Sequence, residues 1–490
     1  VTTAATLAPP TPPATGRHRT SPPWWMGLIA GLAAFSGNGS STLNGDELAT
    51  ISAAGRSLSG LVELARHIDG HFLPYYLFMH FWVKVGTAEL WLRLPSAVAI
   101  GVAAWLLVDL GRRLHSTRAG VIAAAVFAIL PSVSYYGAFA RSYAFAAAAV
   151  VFSFWALHRG VERPGAVRRW VVYGVAVALV CSTHLFAVLV LPAQLLLARR
   201  TTAVKMLAAL AVGCVPAAVL GLIGYGERHA ISWIPQRGPE VWLKFPKMAA
   251  GSTTLGVALF ATALAGAVLL WRTRARGAAT VTAGRSWPLA LTGWLVLPPV
   301  LLLVVSWLVT PVYVDRYLFV TAPALALLAG LAVAALPRFH VVAGLAVVAL
   351  GCALAVPDHV EIREEDGRFE NIPWALRVVK AEPQDAIVYG QSQVRTGFDY
   401  YADSLMPVDV LRSGDAPDAD GFGYPERSDV SAALEGRRRV WVVWRGTKQS
   451  GLTGGSIARV GAVERAGFEL SMAKHSGDLP GLTVALFTRH

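Results

Sequence analysis

His71-Phe-Leu-Pro74-Tyr75-Tyr76-Leu-Phe-Met-His80-Phe-Trp-Val-Lys84-Val-Gly86 can either cross a bilayer or lie along its surface, and the topology of the whole chain follows from which. A spanning helix needs about 20 predominantly apolar residues. This segment is shorter and carries two histidines, a lysine and a proline, the composition of an amphipathic surface helix. If it lies flat, Arg112, Arg113 and Arg118 fall on the side of the N-terminal tail. So do Arg159, Arg163, Arg168 and Arg169, then Arg199, Arg200 and Lys205, then Arg272, Arg274, Arg276 and Arg285, and finally Arg338. If it crossed, every basic cluster would be exported, against the excess of Lys and Arg that cytoplasmic loops carry. The flat reading is therefore adopted.

Composition agrees that this is a membrane chain. Of its 490 residues 55% are hydrophobic and only 15% charged, with a mean hydropathy of +0.51. A net charge of +13 in a soluble domain would suggest nucleic acid, but here the basic residues sit between apolar runs. The charge thus reads as topology, and no nucleic-acid partner is expected. Cys181, Cys214 and Cys352 lie inside apolar runs, so no disulfide framework is implied. Residues 1–23, rich in Pro, Thr and Ala, read as a disordered cytosolic tail.

The expected architecture is a polytopic α-helical membrane domain over residues 24–356. It has about eleven spans, near 24–43, 91–111, 120–134, 144–158, 170–183, 185–198, 203–223, 248–271, 287–309, 317–336 and 340–356. Juxtamembrane helices occupy the first outer loop. From 357 to 490 the composition turns soluble, and a small α/β domain is expected outside the membrane. Its strands are read at 386–389, 440–444 and 482–487, its helices at 372–381, 428–436 and 456–467.

An odd number of spans leaves four polar stretches on the extracytoplasmic face, and they hold the unusual residues. Asn44-Gly45-Asp46-Glu47-Leu48 places an acidic pair where the first span surfaces. A carboxylate against a bilayer costs a few kcal/mol, roughly 2 to 4, so the pair is either a solvated loop or a functional site. His71 and Lys84 flank the surface segment. Arg141, in Tyr135-Tyr136-Gly-Ala-Phe139-Ala-Arg141-Ser-Tyr143, lies outside against the charge bias; an anionic partner such as a phosphate would explain it, and a snorkelling anchor among tyrosines is the plainer account. Tyr313-Val-Asp315-Arg316-Tyr317 offers a second cation, unless Arg316 simply pairs with Asp315. His184, in Ser182-Thr-His-Leu-Phe186, stands at the outer end of its helix. A carboxylate as general base, with cations to meet a departing phosphate, suits group transfer from a lipid-linked phosphate.

The order of Asp46-Glu47, His71…Pro74-Tyr75-Tyr76, Leu92-Arg93-Leu94-Pro95-Ser96, Gly111-Arg112-Arg113-Leu114, Tyr135-Tyr136…Ala140-Arg141-Ser-Tyr143, Thr183-His184 and Asp315-Arg316-Tyr317-Leu318 resembles the GT-C superfamily of integral-membrane glycosyltransferases. The nearest branch is that of protein O-mannosyltransferases and aminoarabinose transferase. The resemblance spans roughly residues 24–340 and rests on the order of the motifs. It implies a polyprenyl-phosphate-sugar donor and inversion at the anomeric carbon, with Asp46 and Glu47 as the catalytic pair and Asp46 as the base. It implies donor-phosphate contacts at His71, Arg141 and Arg316, with Lys84, Tyr143, His184, Tyr313, Asp315 and Tyr317 as substrate-binding candidates. The expected sugar is mannose or arabinose, the acceptor an extracytoplasmic glycan, lipid or protein, and the location the inner or plasma membrane. Two departures border the donor site: Phe139 stands where relatives often carry an acid, and Phe72 and Leu73 where they carry prolines. Asp46, Glu47 and His71 could meet a divalent cation, yet they make no cage, so no obligate metal is expected. A lipid-linked sugar flippase would place charges mid-span and show internal repeats, and neither is found. A non-catalytic envelope assembly protein on the same scaffold is the other alternative.

Overall fold

The computed structural model describes residues 21–227, 231–275, 286–336, 339–365, 367, 370–402, 405–452, 458–477 and 480–489. The first twenty residues of the expected tail, and Arg276, Arg285 and Arg338 of the basic clusters, lie outside the described residues. Among the described residues, six helices are long and apolar enough to cross a membrane: Glu89–Leu114, Tyr143–Glu162, Ala203–Gly226, Trp287–Leu308, Asp315–Ala334 and His340–Arg363. Two bent pairs raise the number to eight: Thr117–Ala128 with Pro131–Gly137, turning by 69°, and Val241–Ala250 with Thr253–Val268, turning by 93°. The other three expected spans meet the shorter helices Trp25–Phe35, Val167–Thr183 and Leu185–Leu195, which fall below that length, so six to eight of the eleven expected spans are present among the described residues.

The first span is corrected by this. Its helix stops at Phe35 rather than continuing to residue 43, because Ser36-Gly37-Asn38-Gly39-Ser40 breaks it, with Gly37 at φ +80°. Apolar content alone concealed that break. The other sharp bend is set by Gly251, at φ +82°, whose N–H donates to the Lys247 carbonyl. A Cβ there would come within 2.2 Å of the Ser132 backbone nitrogen. Gly251→Ala is therefore expected to lower the thermal unfolding midpoint, by the equivalent of about 1–3 kcal/mol; an unshifted midpoint in detergent would contradict that reading.

Between the first two apolar helices the chain builds a surface layer: helices Gly45–Ala54 and Leu58–Leu64, a 3-10 turn Gly70–Phe72, and helix Leu73–Trp82. The last has 10 residues, about 15 Å, and cannot cross a bilayer. Leu48, Leu61, Tyr76 and Met79 bury its packing against the preceding helices in a cluster of their own.

The helix expected to end at 356 runs on through Pro357 to Arg363. A sheet domain follows, ordered β2-β1-β3-β5-β4: β1 Ala386–Tyr389, β2 Val408–Asp409, β3 Arg439–Arg445, β4 Glu469–His475, β5 Leu482–Thr488. β1 pairs in parallel with β2 and β3, while β5 runs antiparallel to β3 and β4. The three strands read from the sequence are the inner ones, buried on both faces. The edge strand β4 was missed because its residues are mostly exposed and carry no apolar run. The domain docks on the first-loop layer. Ser52 Oγ donates to the Phe422 carbonyl at 2.6 Å, Arg56 Nη1 to the Asp418 backbone carbonyl at 2.7 Å, and the Leu43 N–H to the Tyr401 hydroxyl at 2.8 Å.

Candidate functional site

The acidic pair opens helix Gly45–Ala54, and its two members do different things. Asn44 caps the helix by accepting from the Glu47 N–H at 3.1 Å, while Glu47 accepts in return from the Asn44 N–H at 3.3 Å. Glu47 also takes Arg93 Nε at 2.8 Å and Nη2 at 2.9 Å, a bidentate pair in which both side chains are 0% exposed, and the Ala140 N–H at 3.0 Å. Arg93 spends its other protons on the carbonyls of Asn38, Ser41 and Thr42. With its oxygens committed and out of contact with solvent, Glu47 anchors the start of the helix, where the sequence suggested a catalytic role beside Asp46. Arg93 belonged to a motif quoted above, yet its partner lay 46 residues away.

Asp46, one position earlier on the helix, is left free to face outward. Its Oδ2 lies 3.6 Å from Arg316 Nη1, each side chain 30% exposed. Arg316 thus reaches across the fold to the acid, and the local pair with Asp315 does not form. Arg141 comes from a third element, the loop before helix Tyr143–Glu162. Its Nη2 is 3.2 Å from Asp69, its Nη1 donates to the Tyr76 hydroxyl, and its guanidinium stacks 4.2 Å from the centre of the Phe72 ring. Tyr76 in turn donates to Asp69 at 2.8 Å.

Asp69 is the chief residue the sequence reading missed. It sits at φ +55°, one of two non-glycine residues with positive φ among those described. Burial pushes its carboxyl up, but Arg141, His71 and the Tyr76 hydrogen bond outweigh that and hold it below the usual range. Asp69 therefore supplies the carboxylate beside Arg141 that Phe139 does not; Phe139 instead stacks on Tyr143 at 5.8 Å. The Phe72 departure likewise gives Arg141 its stacking surface. His71 is pushed down by burial and by Arg141, with only Asp69 opposing, so at neutral pH it is an uncharged imidazole. It can hydrogen-bond to a phosphate but adds no positive charge.

His184 closes the group, its ring 5.6 Å from Phe72, 5.3 Å from Tyr143 and 4.8 Å from Tyr317. Within this cluster His71 Nε2, Arg141 Nε, Ser142 Oγ, Tyr143 Oη, His184 Nε2 and Arg316 Nε are buried polar atoms without a hydrogen-bond partner. Buried polar groups are ordinarily paired. Six unpaired ones around two guanidiniums and an acid mark a place built to receive an oxygen-rich ligand.

Three candidates fall outside. Lys84 is exposed in the turn that follows helix Leu73–Trp82, beyond the end of the helix away from the 3-10 turn, and rests over Phe81. Tyr313 turns its hydroxyl to Met248 Sδ at 3.8 Å. Asp315 is exposed and faces Arg237 and Lys244. Among the described residues no group of three or more His, Cys, Asp or Glu is placed to hold a metal ion.

Two further acids brace the site from outside. Glu227 accepts the Gly70 N–H with both oxygens, at 3.0 and 2.9 Å, and burial raises it to about 7. Glu370, from the sheet domain, pairs with Arg445 at 3.2 Å and faces the Gly45 N–H beside Asp46. Burial lifts it to about 7 against the pull of Arg445, with Asp46 and Glu47 adding to the rise. Between the ordinary value of 4.5 and about 7, the folded protein keeps a proton that the unfolded chain has lost, so stability falls as pH rises through that window and levels off above it. Glu227 slopes the same way. Glu370→Gln is expected to make the thermal midpoint fall less steeply from about pH 5 to 7; a variant with the wild-type slope would remove Glu370 as a source.

Residues 72–223 match the family model described as dolichyl-phosphate-mannose-protein mannosyltransferase. The structure resembles that of ArnT from Cupriavidus metallidurans in the apo state, with a TM-score of 0.59, 15% identity, and coverage of 94% of this chain and 97% of that one. It also resembles the same protein bound to undecaprenyl phosphate, with a TM-score of 0.55, 12% identity and the same coverage of 94% and 97%. No curated protein matches the sequence significantly.

Proposed function

We propose that this chain, whose fold is that of the GT-C superfamily, is an inverting glycosyltransferase that takes a sugar from a polyprenyl-phosphate donor. The observation that carries the reading is the Asp46–Arg316 pair, with Arg141 alongside: one acid and two cations, from three distant parts of the chain, at one edge of the membrane domain. The undecaprenyl phosphate bound by ArnT and the mannosyl phosphate in the matched family's description both point to that donor class.

In this reading the donor phosphate sits between Arg141 and Arg316 and takes hydrogen bonds from their free Nε–H groups and from neutral His71. It competes with Asp46 for Arg316, so donor binding uncovers the carboxylate. Asp46 then accepts the proton of an acceptor hydroxyl. The hydroxyl oxygen bonds to the anomeric carbon from the face opposite the phosphate, the carbon–oxygen bond to phosphate breaks, and the two guanidiniums stabilise the charge left on the leaving group. A single displacement inverts the anomeric centre. Mannose or arabinose is the sugar, the acceptor an extracytoplasmic glycan, lipid or protein, and the site and sheet domain face away from the cytosol.

Arg316→Gln tests this directly. A hydrogen bond to a charged group contributes about 1.5–3 kcal/mol, so kcat/KM for polyprenyl-phosphate-mannose or polyprenyl-phosphate-arabinose should fall about 10- to 150-fold, largely through KM for the donor. Steady-state assays in detergent that find the donor KM unchanged would refute a phosphate contact at Arg316.

A further inference from the structure

At the opposite end of helix Tyr143–Glu162 lies a cavity of about 320 Å³ that has no part in the reaction proposed above. The helix has 20 residues, about 30 Å, so the cavity is one hydrocarbon thickness from the Arg141 site. Its walls include Trp155, Arg159, Arg163, Arg168, Arg169 and Val172. The nearest acid, Glu162, is already shared among Arg113 at 3.3 Å, Arg169 at 3.5 Å and His158 at 3.6 Å. Among the described residues no carboxylate is within ion-pair distance of Arg159, Arg163 or Arg168. Arg169 is fixed by donating to the Arg159 carbonyl at 2.6 Å, and Arg159 lies 4.7 Å over the Trp155 ring. Arg159, Arg163 and Arg168 thus line one hollow without a carboxylate partner, Arg159 held against the Trp155 ring and Arg163 and Arg168 exposed at its rim.

A second feature says what kind of molecule carries the matching charge. Val171, Val175 and Leu179 are 58%, 52% and 45% exposed. Four apart on helix Val167–Thr183, they form one stripe that starts beside Val172 at the cavity wall and descends toward the middle of the membrane. A free anion would need only the arginines. An amphiphile with a phosphate head and a hydrocarbon chain would use both.

We propose that this cavity is a binding site for the phosphate headgroup of an anionic membrane phospholipid, its acyl chain lying along Val171, Val175 and Leu179. Guanidiniums suit phosphate oxygens through paired N–H donors, and basic pockets between helices are known to select anionic headgroups. Such a lipid would offset part of the cavity's charge and tie helices Tyr143–Glu162 and Val167–Thr183 together at the face opposite the transfer site.

The test compares two variants that remove equal charge from exposed positions. Arg163→Gln/Arg168→Gln alters the cavity; Arg199→Gln/Arg200→Gln alters a basic loop outside its lining. Native mass spectrometry of detergent-purified protein would count bound phosphatidylglycerol, with phosphatidylcholine and inorganic phosphate as competitors. The proposal expects the cavity variant to lose about tenfold or more of its phosphatidylglycerol affinity and the loop variant to stay within about twofold of wild type. Equal losses in the two variants, or no loss in the first, would overturn it. Inorganic phosphate displacing the lipid at equal concentration would overturn the lipid assignment in favour of a simple anion site.

Discussion

Asp46→Asn should reduce sugar transfer by about three orders of magnitude while leaving the donor bound at least as tightly as in wild type. The loss follows from removing a general base, an effect of about 10²–10⁴-fold. The retained binding follows from the resting ion pair. In wild type Arg316 is shared with Asp46 at 3.6 Å, and a neutral amide there frees the guanidinium for phosphate. The helix is not put at risk, because its cap is made by Asn44 and Glu47 and not by Asp46. Transfer from radiolabelled polyprenyl-phosphate sugar to membrane acceptors, measured beside polyprenyl-phosphate binding, separates the two effects. Loss of both together would make Asp46 structural, and loss of neither would remove it from the chemistry.

The second large effect concerns stability. Arg93→Met leaves Glu47 as a charge with 0% exposure and no counter-ion, which costs about 3–5 kcal/mol. The carbonyls of Asn38, Ser41 and Thr42 lose their donors as well, so the turn between the first helix and Asp46 loosens. The expected result is a large drop in thermal midpoint, with partial recovery when Glu47→Gln is added, since the amide removes the stranded charge. A double variant no more stable than Arg93→Met would argue that the carbonyl contacts, and not the ion pair, hold this region.

What could be read from the sequence was whatever depends on local composition. Most of the apolar helices, the short first-loop segment and the inner strands each carry their own pattern, and the structure has them where that pattern lies. Asp46, Arg141 and Arg316 stood out because a charged residue at a membrane edge needs a reason. The glycine-containing break after Phe35 and the run of helix through Pro357 were misread, since an apolar window reports neither turn geometry nor the contacts that keep a proline-containing helix going. Partners were invisible for the same reason. That Glu47 belongs to Arg93, Arg141 to Asp69, and Gly45 to Glu370 depends on which segments the fold brings together. Asp69 did leave a local trace, in Asp69-Gly70 just before His71, but nothing near Glu370 pointed to a site more than 300 residues earlier.

The account stands on Arg141 and Arg316 sharing one phosphate beside Asp46. An electron cryo-microscopy structure of the protein in nanodiscs with a polyprenyl phosphate bound measures that directly. The expected result is phosphorus density within roughly 4 Å of nitrogens from both guanidiniums, with Asp46 released from Arg316. A phosphate touching neither arginine, or lying at the far end of helix Tyr143–Glu162, would contradict it.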